Sequence, residues 1–245
     1  MVLPRIGVLI PSTNTAVEAD FQRVLAGHAS VHSERLFIPD GQMSEAHLDE
    51  MNRDLEARIR SLASAKVDVV AYACTSGSFY KGVAWDEAVI ETVQRVAGVP
   101  CTTTSKAVVE ALRCVAPSGA IAAITPYPEW TNQRLRQYYE AQGFSILALA
   151  GDERSARGGH RFVNDQDPAE IARFGLENMH EDARALFCSC TAWRAFEALP
   201  ALEAALGIPV VTSNQATLWK ASRMLNLQLP AQAGTSGPFG RLSHF

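Results

Sequence analysis

Short runs of consecutive apolar residues recur along the chain, separated by longer stretches in which apolar positions return every three or four residues. Runs of four to eight read as strands buried on both faces, and the stretches between them as amphipathic helices. This predicts strands over 6–10, 31–38, 67–73, 120–125, 145–148, 185–188 and 210–212. Helices are predicted over 17–25, 44–63, 84–96, 106–113, 129–141, 168–178, 193–206 and 214–225. Asp167-Pro168 supplies a cap with proline at the first helical position, and Ser44 is followed by Asp49 and Glu50 in the early turns. Strand and helix alternating in this way predict parallel sheets joined by right-handed crossovers.

The pattern repeats. Ile6-Gly7-Val8-Leu9-Ile10-Pro11 returns as Ile121-Ala122-Ala123-Ile124-Thr125-Pro126, an offset of 115. Cys74 in Ala73-Cys74-Thr75-Ser76 returns as Cys190 in Ser189-Cys190-Thr191, an offset of 116. Gly98-Val99-Pro100-Cys101-Thr102-Thr103 returns as Gly207-Ile208-Pro209-Val210-Val211-Thr212, an offset of 109. Three landmarks in one order at near-constant spacing predict a duplicated α/β fold: two similar doubly wound parallel-sheet halves related by a pseudo-twofold axis, with the site between them. The expected division is 1–115, joined by the C-terminal segment 213–245, and 116–212. The tail from Leu227, with Gly234-Thr235-Ser236-Gly237-Pro238, reads as irregular chain that covers the cleft or packs on a partner subunit.

Ligands of doubly wound sheets sit off the carboxyl ends of the strands. The polar motifs gather there: Pro11-Ser12-Thr13-Asn14, Cys74-Thr75-Ser76, Thr125-Pro126-Tyr127, Cys190-Thr191 and Thr212-Ser213-Asn214. A free cysteine is usually an inert buried residue. Equivalent placement of Cys74 and Cys190 at strand ends raises both above that reading, because two thiols across one cleft supply a proton donor and an acceptor. Cys101, Cys114 and Cys188 are read as structural. Thr75 and Ser76 can form an amide and hydroxyl nest for a carboxylate, or cap a helix. Asn14, with Ser12 and Thr13, is read as a carboxylate clamp in preference to a helix cap. Tyr127 aims a phenol into the cleft or packs at an interface, and Thr191 adds a hydroxyl beside the second thiol.

Composition narrows the classes. With 47% hydrophobic and 20% charged residues in 245, the chain reads as an ordinary globular protein. A net charge of −4 argues against a nucleic-acid partner. No apolar run approaches a bilayer's span and the N-terminus is short for a leader, so no membrane association and a cytoplasmic setting are expected. Five cysteines, an odd number, predict reduced thiols. Six histidines, at 28, 32, 47, 160, 180 and 244, show no ligand spacing, and no glycine-rich nucleotide motif is present, so neither metal nor cofactor is expected. The expected partner is a small carboxylate substrate, with a homo-oligomer left open.

These motifs resemble the Asp/Glu racemase superfamily, in the branch holding maleate cis-trans isomerases and arylmalonate decarboxylases. Pro11-Ser12-Thr13-Asn14-Thr15 with Glu18, and Ala65-Lys66-Val67-Asp68-Val69 leading to Tyr72-Ala73-Cys74, resemble the isomerases. Thr75-Ser76, Ser78-Phe79-Tyr80-Lys81-Gly82 and Pro100-Cys101-Thr102-Thr103 resemble the decarboxylases. The resemblance implies a cofactor-independent enzyme in which Cys74 and Cys190 are catalytic. Decarboxylases of this branch carry glycine where Cys74 stands, whereas racemases and maleate isomerases keep both thiols. It also sets His160 where the isomerases use an asparagine for carboxylate binding. An isomerase of a small (di)carboxylic acid, maleate isomerase-like or racemase-like, is therefore expected, with one cysteine of depressed pKa. An arylmalonate-type decarboxylase, or a non-catalytic carboxylate-binding protein such as one in ectoine utilisation, is the alternative.

Overall fold

Eight short strands pair into two four-stranded parallel sheets of identical order, β2-β1-β3-β4 and β6-β5-β7-β8, in a computed structural model that describes residues 2–39, 43–230 and 237–245. The first half runs β1 (Arg5–Pro11), α1 (Ala16–Leu25), β2 (Ser30–Leu36), α2 (Glu45–Asn52), α3 (Leu55–Ser64), β3 (Val69–Tyr72), α4 (Thr75–Phe79), α5 (Val83–Ala97), β4 (Cys101–Thr103) and α6 (Thr104–Val115). The second runs β5 (Ala120–Thr125), α7 (Glu129–Ala141), β6 (Ser145–Gly151), α8 (Glu153–Asp165), α9 (Pro168–Glu177), β7 (Ala185–Cys188), α10 (Ala195–Leu206) and β8 (Val210–Thr212), and α11 (Ser213–Met224) follows it. In each half the first strand is central, pairing on one side with the second and on the other with the third. The repeat seen in the sequence is thus a repeat of topology.

The central strands are apolar at successive positions because helices cover both faces. Val69, Val70, Ala71, Tyr72, Ala185, Leu186, Phe187 and Cys188 are all fully buried. After β8 the chain crosses back: α11 packs on α6, β3 and β4. Thr212 caps it, accepting from the Gln215 N–H while the Gln215 side chain accepts from the Thr212 N–H.

Four expectations are revised. The helix predicted over 44–63 is two, α2 and α3, broken at Asn52-Arg53-Asp54. Asn and Asp compete with helical bonding, and Asn52 accepts at Oδ1 from the Tyr72 hydroxyl at 2.8 Å, which ends α2 over the tip of β3. Strand β4 was absent from the predicted set because Cys101-Thr102-Thr103 is not an apolar run, although its counterpart over 210–212 was recognised. Helix α8 was also unpredicted; its sequence is mostly polar and bends at Gly159, whose φ of 70° suits glycine. In the tail, 231–236 lies outside the described residues, and Gly240–His244 forms a short 3₁₀ turn packed on α6, α10 and β8, with none of its residues in the lining of the cleft cavity.

Asp86 on α5 joins the halves from within the core: only 1% exposed, it accepts the Tyr138 hydroxyl of α7 at 2.7 Å. Burial raises its carboxyl from 3.8 to about 6. An acid that holds its proton more tightly folded than unfolded stabilises the fold when protonated, so this contribution falls as pH rises from about 4 through 6. Asp86→Asn keeps an acceptor for Tyr138 and removes the titration. The drop in melting temperature between pH 5 and pH 7.5 should therefore shrink, by the equivalent of ~1–2 kcal/mol. An unchanged difference, followed by circular dichroism, would disprove this account.

Candidate functional site

Four strand ends open onto one cavity of about 300 Å³: Pro11, Thr13 and Asn14 after β1; Cys74, Thr75 and Ser76 after β3; Pro126, Tyr127 and Pro128 after β5; and Cys190, Thr191 and Ala192 after β7. The fifth motif, Ser213-Asn214 after β8, supports the cavity from behind. Ser155, Ala156, Arg157, Gly159, His160 and Val163 of α8 and the apolar side chains Ile38, Met43 and Trp130 complete the wall. Helix α8 is latched to the β1–α1 turn by Asn164, whose Oδ1 accepts from Thr15 and whose Nδ2 donates to the Thr13 carbonyl.

Cys74 caps α4. Its extended backbone turns the thiol back over the first turn, where Sγ accepts the Gly77 N–H at 3.3 Å and lies 3.8 Å from Ser76 Oγ. Cys190 follows β7 with φ of 145°, unusual for a residue with a Cβ. Its thiol faces the amides of Ala192 and Trp193 and the Tyr127 hydroxyl. Tyr127 is itself held against Phe79 and Ser189, within the field of both thiols.

The expectation of one depressed thiol pKa is reversed. Burial raises Cys74 from 9.0 to about 12, outweighing the Gly77 N–H and Ser76 hydroxyl that favour the anion. Burial also raises Cys190, against the two amides and the phenol that oppose it. A one-turn helix and a few hydrogen bonds do not replace the lost hydration of a thiolate. Burial therefore favours the neutral form of both thiols. Alkylation of Cys74 should be slow at pH 7 and still climb about tenfold per pH unit between 8 and 10. A plateau below pH 8.5, read by peptide mass spectrometry, would refute it.

The remaining predicted residues divide. Asn14 lines the cavity but also caps α1, its Oδ1 accepting the Ala16 and Val17 N–H groups at 3.0 and 3.1 Å, while Nδ2 donates to Thr191 Oγ1 at 3.1 Å. Ser12 is not among the lining residues; its hydroxyl accepts the Ile38 N–H at 3.0 Å and shapes the chain after β2. Thr75, Ser76, Tyr127, Thr191 and His160 all line the cavity, and Thr75 Oγ1 donates to Ser213 Oγ at 2.9 Å. Sequence reasoning missed Arg157, among the described residues the only Arg or Lys in the lining, and the apolar group of Ile38, Met43, Trp130 and Val163. None belongs to a recognisable motif; the Gly158-Gly159 pair beside Arg157 was the one local sign of a special segment.

Among the described residues no three His, Cys, Asp or Glu side chains gather as a metal site, and no helix is long and apolar enough to cross a membrane.

A family model described as arylmalonate decarboxylase matches residues 6–237. Arylmalonate decarboxylase of Bordetella bronchiseptica is 28% identical over 244 residues, covering 98% of this chain and 96% of that one. Maleate isomerase of Pseudomonas putida is 26% identical over 239 residues, covering 92% and 93%. Among solved structures, a double mutant of arylmalonate decarboxylase in the liganded form matches with a TM-score of 0.84 at 26% identity, covering 98% of each chain. The Nocardia farcinica maleate cis-trans isomerase bound to TRIS shares the fold with a TM-score of 0.87 at 24% identity, covering 98% and 97%. Matched over nearly its whole length, and with both sheets in common, this chain belongs to the arylmalonate decarboxylase and maleate isomerase family of the Asp/Glu racemase superfamily.

Proposed function

We propose that the chain is a cofactor-independent isomerase of a small carboxylic acid that uses Cys74 and Cys190 as a pair. The observation that carries this reading is that both thiols line one cavity, one from each half, with the Tyr127 hydroxyl in the field of both. The substrate carboxylate lies against Thr75, Ser76 and Thr191, where the backbone amides and the Ser76 and Thr191 hydroxyls stabilise charge that builds on it. Racemisation then needs one sulfur, once its own proton has passed to solvent, to take the α-proton, giving an enediolate, and the other to return a proton to the opposite face. The product has inverted configuration and the two sulfurs exchange roles. A maleate-like course has the Cys74 thiolate add to the double bond while Cys190 protonates the adjacent carbon. The former double bond, now a C–C single bond, rotates; the Cys190 thiolate then takes the proton back and the Cys74 thiolate leaves, giving the trans alkene. The presence of Ile38, Met43, Trp130 and Val163 in the same lining as the hydroxyls supports a substrate with an apolar substituent.

A second reading, decarboxylation of a substituted malonate, is favoured by the family model and by the 28% identity to the Bordetella enzyme. It breaks the bond from the α-carbon to one carboxylate, releases CO2, and takes its replacement proton from Cys190 alone. Incubation in D2O with maleate, aspartate, glutamate, hydantoin, an arylmalonate and a 2-arylpropionate, followed by proton NMR, separates the readings. Loss of the α-proton signal or cis-to-trans conversion supports the isomerase; loss of a carboxylate with deuterium in the monoacid supports the decarboxylase. Carboxylate binding without turnover, unchanged by Cys74→Ser and Cys190→Ser, would overturn both and leave a binding protein.

A further inference from the structure

The φ of 145° at Cys190 stands apart from the other non-glycine residues with positive φ. Lys66 and Asn226, at 55° and 53°, sit in the ordinary left-handed well, which tolerates a Cβ at modest cost. Cys190 lies far from it, in a region glycine enters more easily, so something must hold it there. Two residues at the start of α11 do so. Ser213, fully buried, accepts the Cys190 N–H at Oγ (3.0 Å) and also accepts the Thr75 hydroxyl (2.9 Å). Asn214, 2% exposed, donates from Nδ2 to the Thr191 carbonyl (3.0 Å) and to Asp20 Oδ2 (2.8 Å), and Asp20 is anchored in turn by Arg23. The peptide groups on either side of the Cys190–Thr191 unit are thus gripped from one helix terminus.

The first half repeats the device. By the offset of the third landmark, Asn214 corresponds to Ser105 at the start of α6. Ser105 lies with its hydroxyl 3.4 Å from the Thr75 carbonyl, the residue after Cys74 just as Thr191 follows Cys190. Each thiol loop is therefore held by the helix that follows the neighbouring outer strand. Ser213 adds the cross-link, touching the Cys190 backbone and the Thr75 side chain at once.

We propose that Ser213 and Asn214 are positioning residues that hold the Cys190 backbone in its strained conformation and tie it to the Cys74 loop, so that the Cys190 thiol stays aimed at its donors and at the cavity. This rests on the reading of Cys190 as a proton-transfer group, but its consequence is visible in the thiol itself. Without the Ser213 hydroxyl the loop relaxes, and the Ala192 and Trp193 amides and the Tyr127 hydroxyl no longer converge on sulfur. The thiolate then loses its hydrogen bonds.

The test is the pH dependence of Cys190 alkylation by iodoacetamide, read peptide by peptide, with part-exposed Cys114 on α6 as the internal control. Ser213→Ala should slow Cys190 alkylation at pH 8.5 at least tenfold and move its midpoint upward, with Cys114 unchanged. Ser213→Thr should restore the parent profile, since Thr104 occupies the corresponding place in the first half. A profile within twofold of the parent, failure of threonine to rescue, or a parallel change at Cys114 would overturn the proposal. If Ser213→Ala does not fold alone, it should fold when combined with Cys190→Gly, because glycine accepts this φ without the clamp. A combined variant that is equally unfolded would also overturn it. Absence of turnover on every substrate, with the midpoint shift intact, would instead count against the catalytic reading and leave the clamp standing.

Discussion

Cys190→Ala should lower turnover at least a thousandfold on whichever substrate the D2O panel identifies, with the melting temperature within a few degrees of the parent. The chemical reason is that every enzymatic reading of the cavity takes a proton from Cys190 or gives one to it, and a positioned acid or base contributes roughly 10²–10⁴ in rate. Neither Cys188 nor Tyr127 can take over. Cys188 is two residues back, fully buried in β7, and burial alone pushes its thiol up. Tyr127, nearest to the vacated position, is raised well above its usual value by burial and by the field of the thiols, so it neither gains nor loses a proton readily near neutrality. The structural reason is that the lost sulfur lines the cavity, so its removal leaves a slightly larger cavity rather than a hole in the core. Steady-state kinetics with purified protein decides the matter: retained turnover within tenfold would end the two-thiol reading and the decarboxylase reading together. Cys74→Ala separates those two. Paired thiols predict a loss of the same order, whereas one-sided protonation after decarboxylation predicts retained turnover.

The duplication, the strand ends and the two thiols were legible because each is written in a contiguous string. Ile6–Pro11 and its echo at Ile121–Pro126 need only local apolar runs, and Cys74 and Cys190 announce themselves by matching neighbours. What escaped depends on distant parts of the chain. Asn14, read as a clamp in preference to a cap, does cap α1 locally through its side-chain oxygen, while its Nδ2 reaches Thr191, 177 positions away. Ser12 turns to the Ile38 amide, a partner 26 positions away. Arg157, Met43 and Trp130 arrive from three unrelated segments, none with a motif. The sign of the thiol pKa shifts failed for the same reason: a helix start after cysteine is readable locally, but the desolvation that outweighs it comes from the whole enclosing fold. Ser213-Asn214 was legible as polar residues at a strand end, but not as the support behind the second thiol.

Gly77→Ala should be the most damaging single-methyl change in the first half, lowering stability by about 3 kcal/mol. Gly77 sits in the first turn of α4 with ordinary helical geometry, so the constraint is space rather than backbone conformation. A Cβ there would meet Tyr72 Oη at 2.5 Å, Cys74 Sγ at 2.9 Å and Met51 Cε at 2.9 Å. Methionine can yield by changing rotamer. Tyr72 cannot, since it is fully buried and its hydroxyl is committed to Asn52, the bond that ends α2. Cys74 can move only by giving up the Gly77 N–H, which is its one backbone hydrogen-bond donor. The backbone has no easy retreat either, because the Gly77 carbonyl accepts the Trp85 indole N–H at 2.8 Å. The added methyl therefore forces a choice between breaking the Tyr72–Asn52 bond and displacing the thiol. Thermal unfolding should fall by roughly 6–12 °C for a chain of this length. Below that transition, Cys74 alkylation at pH 9 should change several-fold while Cys114 stays constant. A melting temperature within 2 °C of the parent with an unaltered Cys74 rate would show that the pocket around this thiol yields more easily than its packing implies. Glycine at this position would then owe nothing to the sulfur beside it.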